Sequence, residues 1–300
     1  MKSKLNFTLR FLVFTILLLG IFSCSSDEEN LIGDYDAPQE LPSNLIAGSP
    51  LSDRILKLYD DYGIIVYTDS IVGDRMYSDL VSEEGLMISE RLQADSLAAI
   101  LYVNMIEDEF INILPEGSEN LIFRNFYLFG NDLISGTSAW NSYEYISHVW
   151  YNSNADLTVG RIDDSNMDSL HYKKTFFYGL SKVLRSDPVN NENYYRPFVD
   201  YKTDAAVYYW QVNSLEDAYE RGFLTANQNF IKSDQQDFDY FASWGATADP
   251  AEKDSLMALY PMIREKYSLV SQMFRQEGIP LEEINNKWQE SPYNPKNFEE

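Results

Sequence analysis

Leu170-His171-Tyr172-Lys173-Lys174-Thr175-Phe176-Phe177-Tyr178-Gly179-Leu180 is the stretch on which the fold turns. With Met167, Val183 and Leu184, its apolar positions Leu170, Phe176, Phe177 and Leu180 cover more of a helical circumference than one stripe would. The spacing predicts a helix buried on much of its surface. Asp163-Asp164-Ser165 supplies its cap, and Asp187-Pro188 ends it near Arg185, because proline has no amide hydrogen to extend the ladder. His171 reads as a half-buried, satisfied side chain. Lys173 and Lys174 read as the solvent face beside it.

A helix so enclosed needs further layers around it. Upstream, Ser49-Pro50-Leu51-Ser52-Asp53 starts a helix, with Ser49 as cap, proline in the first turn and an acid near the positive end of the dipole. Ile55, Leu56, Leu58 and Tyr59 give it an apolar face and Gly63 ends it. Ile64-Ile65-Val66-Tyr67 reads as a buried strand. A second helix is expected from Leu92 to Ile113, with Leu97, Ile100, Leu101, Met105 and Phe110 on one face and Pro115 as its stop. Leu121-Ile122-Phe123, Phe126-Tyr127-Leu128-Phe129 and the segment from Tyr143 to Tyr151 read as strands. Downstream come a short helix near Gln235 to Trp244 and a long one from Ala251 to Gln276, closed by Gly278. Strands early and helices late give an α+β class, without internal repeats.

The first residues have a different character. Lys2, Lys4 and Arg10 precede an apolar run from Phe11 to Ile21. As a helix that run reaches only about 16 Å, about half of a bilayer core, so it reads as the core of an export signal and not as a membrane span. Ile21-Phe22-Ser23-Cys24 has the aliphatic residue and the small residue that a lipobox needs before its cysteine, although Phe22 is bulky. The reading is a signal peptide over 1–23 and lipid on Cys24, which tethers the chain to a membrane. Ser25-Ser26-Asp27-Glu28-Glu29 resembles the acidic tag that sends Bacteroidetes lipoproteins to the outer face of the outer membrane. A polar linker then occupies 24–49, a single domain 50–290 and a tail 291–300.

Composition narrows the function. With 45% hydrophobic and 15% aromatic residues the body can bury a full core. Cys24 is the only cysteine, so no disulfide can form within the body. Without the leader's three basic residues, 20 positive side chains face 47 negative ones, a net charge of −27. Such a surface repels phosphate backbones, which argues against a nucleic-acid partner.

No Gly-x-Gly-x-x-Gly, P-loop, Gly-x-Ser-x-Gly or EF-hand loop occurs. The two histidines, His148 and His171, are too few for a zinc site of three or four His or Cys ligands. Glu107-Asp108-Glu109 carries charge enough for calcium but reads as a solvated helical face.

In its placement the stretch from Leu170 nevertheless resembles the zinc helix of the substrate import-associated zinc metallohydrolases, a family of Bacteroidetes surface lipoproteins whose helix carries His-Glu-Phe-x-His. Arg221-Gly222-Phe223-Leu224-Thr225 resembles the family's Gly-Phe-Val-Thr-like turn, and Gln236-Asp237-Phe238-Asp239-Tyr240 its Glu-Asp-Phe-Ala-Glu. Ile263-Arg264-Glu265-Lys266-Tyr267 through Gly278-Ile279-Pro280-Leu281-Glu282-Glu283-Ile284 is similar to its last helix and Gly-Ile-Asp-Leu ending, and Ile55 to Tyr67 to its opening helix and strand. The resemblance spans about residues 50 to 290 and implies a zincin-like metallopeptidase domain.

It also implies which chemistry is missing. His171 matches the first zinc ligand, Thr175 stands where the second histidine belongs, and Tyr172 stands at the glutamate that takes a proton from the zinc-bound water. A hydroxyl is a poor substitute for imidazole, and a phenol is protonated at neutral pH. Tyr240 replaces the closing glutamate of the later pattern; Asp237 or Asp239 are the recruits that remain, though nothing in the sequence places them near His171. The expectation is therefore no catalytic residue and no bound cofactor, with His171 the one surviving candidate ligand. The resemblance implies a non-catalytic protein that helps a TonB-dependent import system hold a peptide or glycan, with Tyr194-Tyr195 or Tyr208-Tyr209-Trp210 as a stacking platform. The alternatives are an active zinc hydrolase with other ligands and a purely structural surface lipoprotein.

Overall fold

The computed structural model describes residues 41–42, 45–68, 93–114, 123–130, 149–153, 156–160, 162–163, 168–201, 212–225 and 233–297. All of them belong to one unit, Ala37–Glu300. The export signal, Cys24 and the acidic tag lie outside the described residues, as do His148 and Tyr208-Tyr209-Trp210.

Helix α1, Pro50–Tyr62, begins at its proline and ends where Gly63 takes a left-handed φ of 68°. Ser49 occupies the cap position but makes no side-chain cap bond. Ser52 Oγ accepts the Ile46 amide instead, at 2.9 Å. Strand β1, Ile65–Tyr67, follows, and then α2, Ser96–Glu109, whose Asp95 cap accepts the Leu97 and Ala98 amides. The expected apolar face of α2 holds at Met105 and Phe110, which are buried, but not at Leu97, which is 66% exposed, while Ala98, Tyr102 and Ile106 outside that face are buried. A helix that is apolar nearly all round cannot reveal its inner face by spacing.

β2 (Asn125–Leu128), β3 (Val149–Ser153) and β4 (Asp156–Val159) complete a sheet in the order β1-β2-β4-β3. β1 and β2 are parallel, β2 and β4 are parallel, and β3 runs antiparallel to β4. Val66, Phe126, Leu128, Leu157 and Val159 all turn to the core, as alternation along each strand requires.

Against that face lies the central helix α3, Ser169–Ser186, capped by Asp168 and not by the expected Asp163-Asp164-Ser165. Phe176 is its hub. The ring meets Phe110 at 4.7 Å, Phe123 at 5.9 Å and Phe126 at 6.4 Å. Burying one such ring contributes about 1.5–3 kcal/mol, so the aromatic cluster anchors helix to sheet. Short helical turns over 188–200 and α4, Leu215–Glu220, lead to α5, Asp234–Thr247, on the other side of α3. Ser243 Oγ donates to Lys174 O, while Asp239 takes bonds from Ser181 and Arg185. These contacts make the two helices antiparallel.

The expected long helix from Ala251 to Gln276 is two helices, α6 (Pro250–Leu259) and α7 (Pro261–Gln276), separated by extended Tyr260. Pro261 cannot supply the amide that would carry the first helix onward, and it starts the second. α8, Leu281–Glu290, ends the helical layer. Its Asn285 donates to Gly245 O and Ala248 O, closing the carbonyl end of α5. Residues 291–297, placed outside the domain as a tail, pack onto it: Ser169 Oγ donates to Tyr293 O, and Tyr293 Oη to Asp108 at 2.7 Å. The whole is an α+β fold with a small sheet early and helices dominating later.

Candidate functional site

The first turns of α3 carry the three positions that matter. His171 is 7% exposed, and its backbone amide donates to Asp168 Oδ1 at 3.0 Å. Tyr172 is fully buried, its ring edge-on to Tyr102 at 5.5 Å. Burial pushes the Tyr172 phenol well above its usual range, and the charges of Asp163, Asp168 and Asp95 push it further. Such a phenol keeps its proton and can serve neither as base nor as anionic ligand. Thr175 is fully buried too, and its hydroxyl donates to Tyr172 O at 2.9 Å, a bond within its own helix.

The possible recruits are engaged elsewhere. Asp239 accepts from Ser181 at 2.8 Å and from Arg185 at 3.2 and 3.0 Å. Ser181 lies ten residues beyond His171, or about 15 Å along the helix at 1.5 Å per residue. Asp237 is paired with Lys266 at 2.7 Å. Among the described residues, no group of three or more His, Cys, Asp or Glu is placed to hold a metal ion. The residues matched to a zinc helix do not fit zinc, which needs about three protein donors: one imidazole is present, one hydroxyl is spent and one phenol is neutral.

Two expectations about charge are overturned. Lys173, read as solvent-facing, is 1% exposed. Its ammonium pairs with Glu109 at 3.2 Å and lies 4.6 Å from the Trp288 ring centre. Burial pulls it down to about 8 against the opposing charge of Glu109. The acidic run is not a solvated face either. Glu107 is held by Arg54 and Lys57, Glu109 by Lys173, and Asp108 accepts from Tyr293. Lys173 stands where the zinc-helix pattern has phenylalanine, and that apolar position was the available sign that it points inward.

Sequence reasoning gave no role to Lys266, although it joins three of the quoted resemblances. Its Nζ donates to Asp237 Oδ2 at 2.7 Å and to Gly222 O at 3.1 Å. It sits 4.7 Å from the Phe223 ring centre and 4.8 Å from that of Phe198. Gly222 reaches this contact with a left-handed φ of 79°, which favours glycine. The turn at 221–225, the segment 236–240 and α7 thus meet at one buried cation. Of the stacking candidates described, Tyr194 donates to Gln276, and Tyr195 packs on Phe238 beneath Arg185, so that pair is built into the fold.

No protein-family profile matches the chain, and no curated protein matches it. Among solved structures it is similar to a “putative zinc-binding metallo-peptidase” from Bacteroides caccae, with a TM-score of 0.51 and 14% identity, covering 81% of this chain and 94% of that one. At that identity the likeness is one of fold.

Proposed function

We propose that this chain is a cell-surface lipoprotein of the outer membrane, anchored through Cys24, which keeps a metallopeptidase scaffold without its chemistry. On this reading it serves a TonB-dependent import system by holding a peptide or glycan and does not cleave it. One observation carries the non-catalytic part: at the second-ligand and general-base positions, Thr175 bonds its own helix and Tyr172 is packed against Tyr102. Thr175 gives its one hydroxyl proton to its own helix, and the Tyr172 phenol, raised by burial, keeps its proton, so neither replaces the imidazole or the carboxylate that a catalytic zinc needs at these positions. The fold similarity supports the scaffold, and the lipobox with its acidic tag supports the address.

The test is a zinc assay on purified protein after dialysis, with peptidase activity measured beside it. The expected result is substoichiometric zinc, no activity and an unchanged melting temperature on adding chelator. Stoichiometric zinc, with hydrolysis abolished by His171→Ala, overturns the reading. The anchor is tested separately by lipid labelling of wild type and Cys24→Ala, and by protease access to the protein on intact cells.

A further inference from the structure

Leu215 begins α4, and Tyr219 lies one turn on along the same face. Leu259 ends α6, and Tyr260 follows it at the corner before α7. The Tyr219 and Tyr260 rings meet with centres 5.2 Å apart, tilted by 50°. Both are half-buried, and among the described residues no protein group bonds either hydroxyl. Tyr62, Tyr194, Tyr267 and Tyr293 differ in this, their hydroxyls being taken by Glu107, Gln276, Glu282 and Asp108. An exposed leucine lies one turn before Tyr219, Leu215 at 48%, and another directly before Tyr260, Leu259 at 72%.

The same corner is mainly acidic, and its exposed Arg264, one turn beyond Tyr260, is paired with Glu265. Glu216 and Glu220 are exposed on α4 and Glu252 on α6. None of the three has an ion-pair partner among the described residues, whereas Asp217 between them is tied to Arg221. Burial first, and then the charges of Glu252 and Tyr260, push the Tyr219 phenol up. The net charge of the whole chain, −24, adds a long-range field of the same sign.

We infer that this corner captures a cationic peptide segment, its apolar side chains against Leu215, Tyr219, Leu259 and Tyr260 and its lysines or arginines facing Glu216, Glu220 and Glu252. Aromatic faces and carboxylates both attract such cations, and exposed leucines match apolar side chains better than they match sugar hydroxyls. The inference names the substrate class for the capture role proposed above and rests on that role.

The experiment titrates the full chain with a fluorescent synthetic peptide of alternating lysine and leucine. Its glutamate-leucine counterpart and a linear maltodextrin serve as comparisons. Leu215→Ser/Leu259→Ser leaves the charge unchanged, and Val189→Ser, an exposed apolar residue elsewhere, is the control. Expected is salt-sensitive binding of the lysine peptide alone, weakened about tenfold or more in the double variant and unchanged in the control. Equal binding by all three proteins means general attraction to an acidic surface and overturns the proposal. Failure to bind the lysine peptide, or maltodextrin binding lost in the double variant, also overturns it. Zinc content, measured separately, decides the non-catalytic reading whichever way the titration falls.

Discussion

Replacing Lys266 with methionine should be among the most damaging single changes in this protein. The ammonium is almost fully buried, and its removal takes from the Asp237 carboxylate, equally buried, the cation that lies 2.7 Å from it. Water cannot compensate, because Phe198, Phe223 and Phe241 surround the site. Breaking a buried pair from one side costs about 3–5 kcal/mol. In a domain of this size each kcal/mol moves the melting temperature by about 2–4 °C, so Lys266→Met should melt roughly 6–20 °C lower. The double variant Lys266→Met/Asp237→Leu removes both charges and should recover most of that loss, since an apolar replacement of a buried pair is often neutral. Thermal and urea unfolding followed by circular dichroism, on wild type, both single variants and the double variant, closes the cycle. A single variant that melts within about 2 °C of wild type would show the pair to be solvated and the reasoning wrong. So would a double variant that only adds the two single losses.

Other consequences follow from the same structure. The Tyr102 hydroxyl is buried without a hydrogen-bond partner among the described residues, so Tyr102→Phe should raise stability by about 1 kcal/mol in urea. A loss instead would show that the hydroxyl is satisfied in solution. A Cβ on Gly245 would meet Tyr267 Cε2 at 2.7 Å, so Gly245→Ala should cost about 1–3 kcal/mol, read as a lower urea midpoint at unchanged slope. Burial opposes the charge of Glu282, but bonds from Lys253 and Tyr267 prevail and hold its carboxyl below the usual range. A depressed carboxylate contributes stability that is complete above its unfolded pKa and is lost as pH falls through the folded one. The stability gap between wild type and Glu282→Gln should therefore be open at neutral pH and close below about pH 4; a gap that persists in acid contradicts this. Finally, Tyr172→Glu with Thr175→His rewrites the zinc-helix pattern in buried positions. It should lower the melting temperature and still retain no zinc through dialysis, and tight stoichiometric zinc would count against the donor argument.

The elements most legible in the sequence were those punctuated by rigid or permissive residues. Pro50 and Gly63 bounded α1, Pro188 closed α3, and Gly278, with φ 76°, marked the turn after α7. Where punctuation was misread, so was structure: Pro261 lay in plain view inside the supposed long helix. β4 went unnoticed because four residues, Asp-Leu-Thr-Val, are too few to show alternation. The buried lysines were illegible for a different reason. Lys173 finds Glu109 at a separation of 64 residues, and Lys266 finds Asp237 at 29. No local window contains both members of either pair, so each lysine reads as a solvated charge until the chain is folded. Of the candidate site, the identities at 171, 172 and 175 were plain, but the spending of the Thr175 hydroxyl on Tyr172 O needed coordinates.

That distinction bears on the proposed loss of chemistry. A catalytic cleft demands that its ligands and base be reachable by water and substrate, which sets them against the packing that stabilises a core. Around Lys266 there is no such conflict. Gly222, Phe223, Asp237 and Lys266 satisfy one another in the interior, and their arrangement is useful to the fold whether or not a metal is bound. On α3 the conflict is resolved toward packing: Tyr172 adds an aromatic contact to Tyr102, and Thr175 adds a hydrogen bond. A chain released from hydrolysis would lose wet, costly positions first and keep dry, mutually satisfied ones. The proposed reading expects this pattern, with the resembling segments 221–225, 236–238 and 263–267 packed together and the unmatched positions 172 and 175 given over to packing.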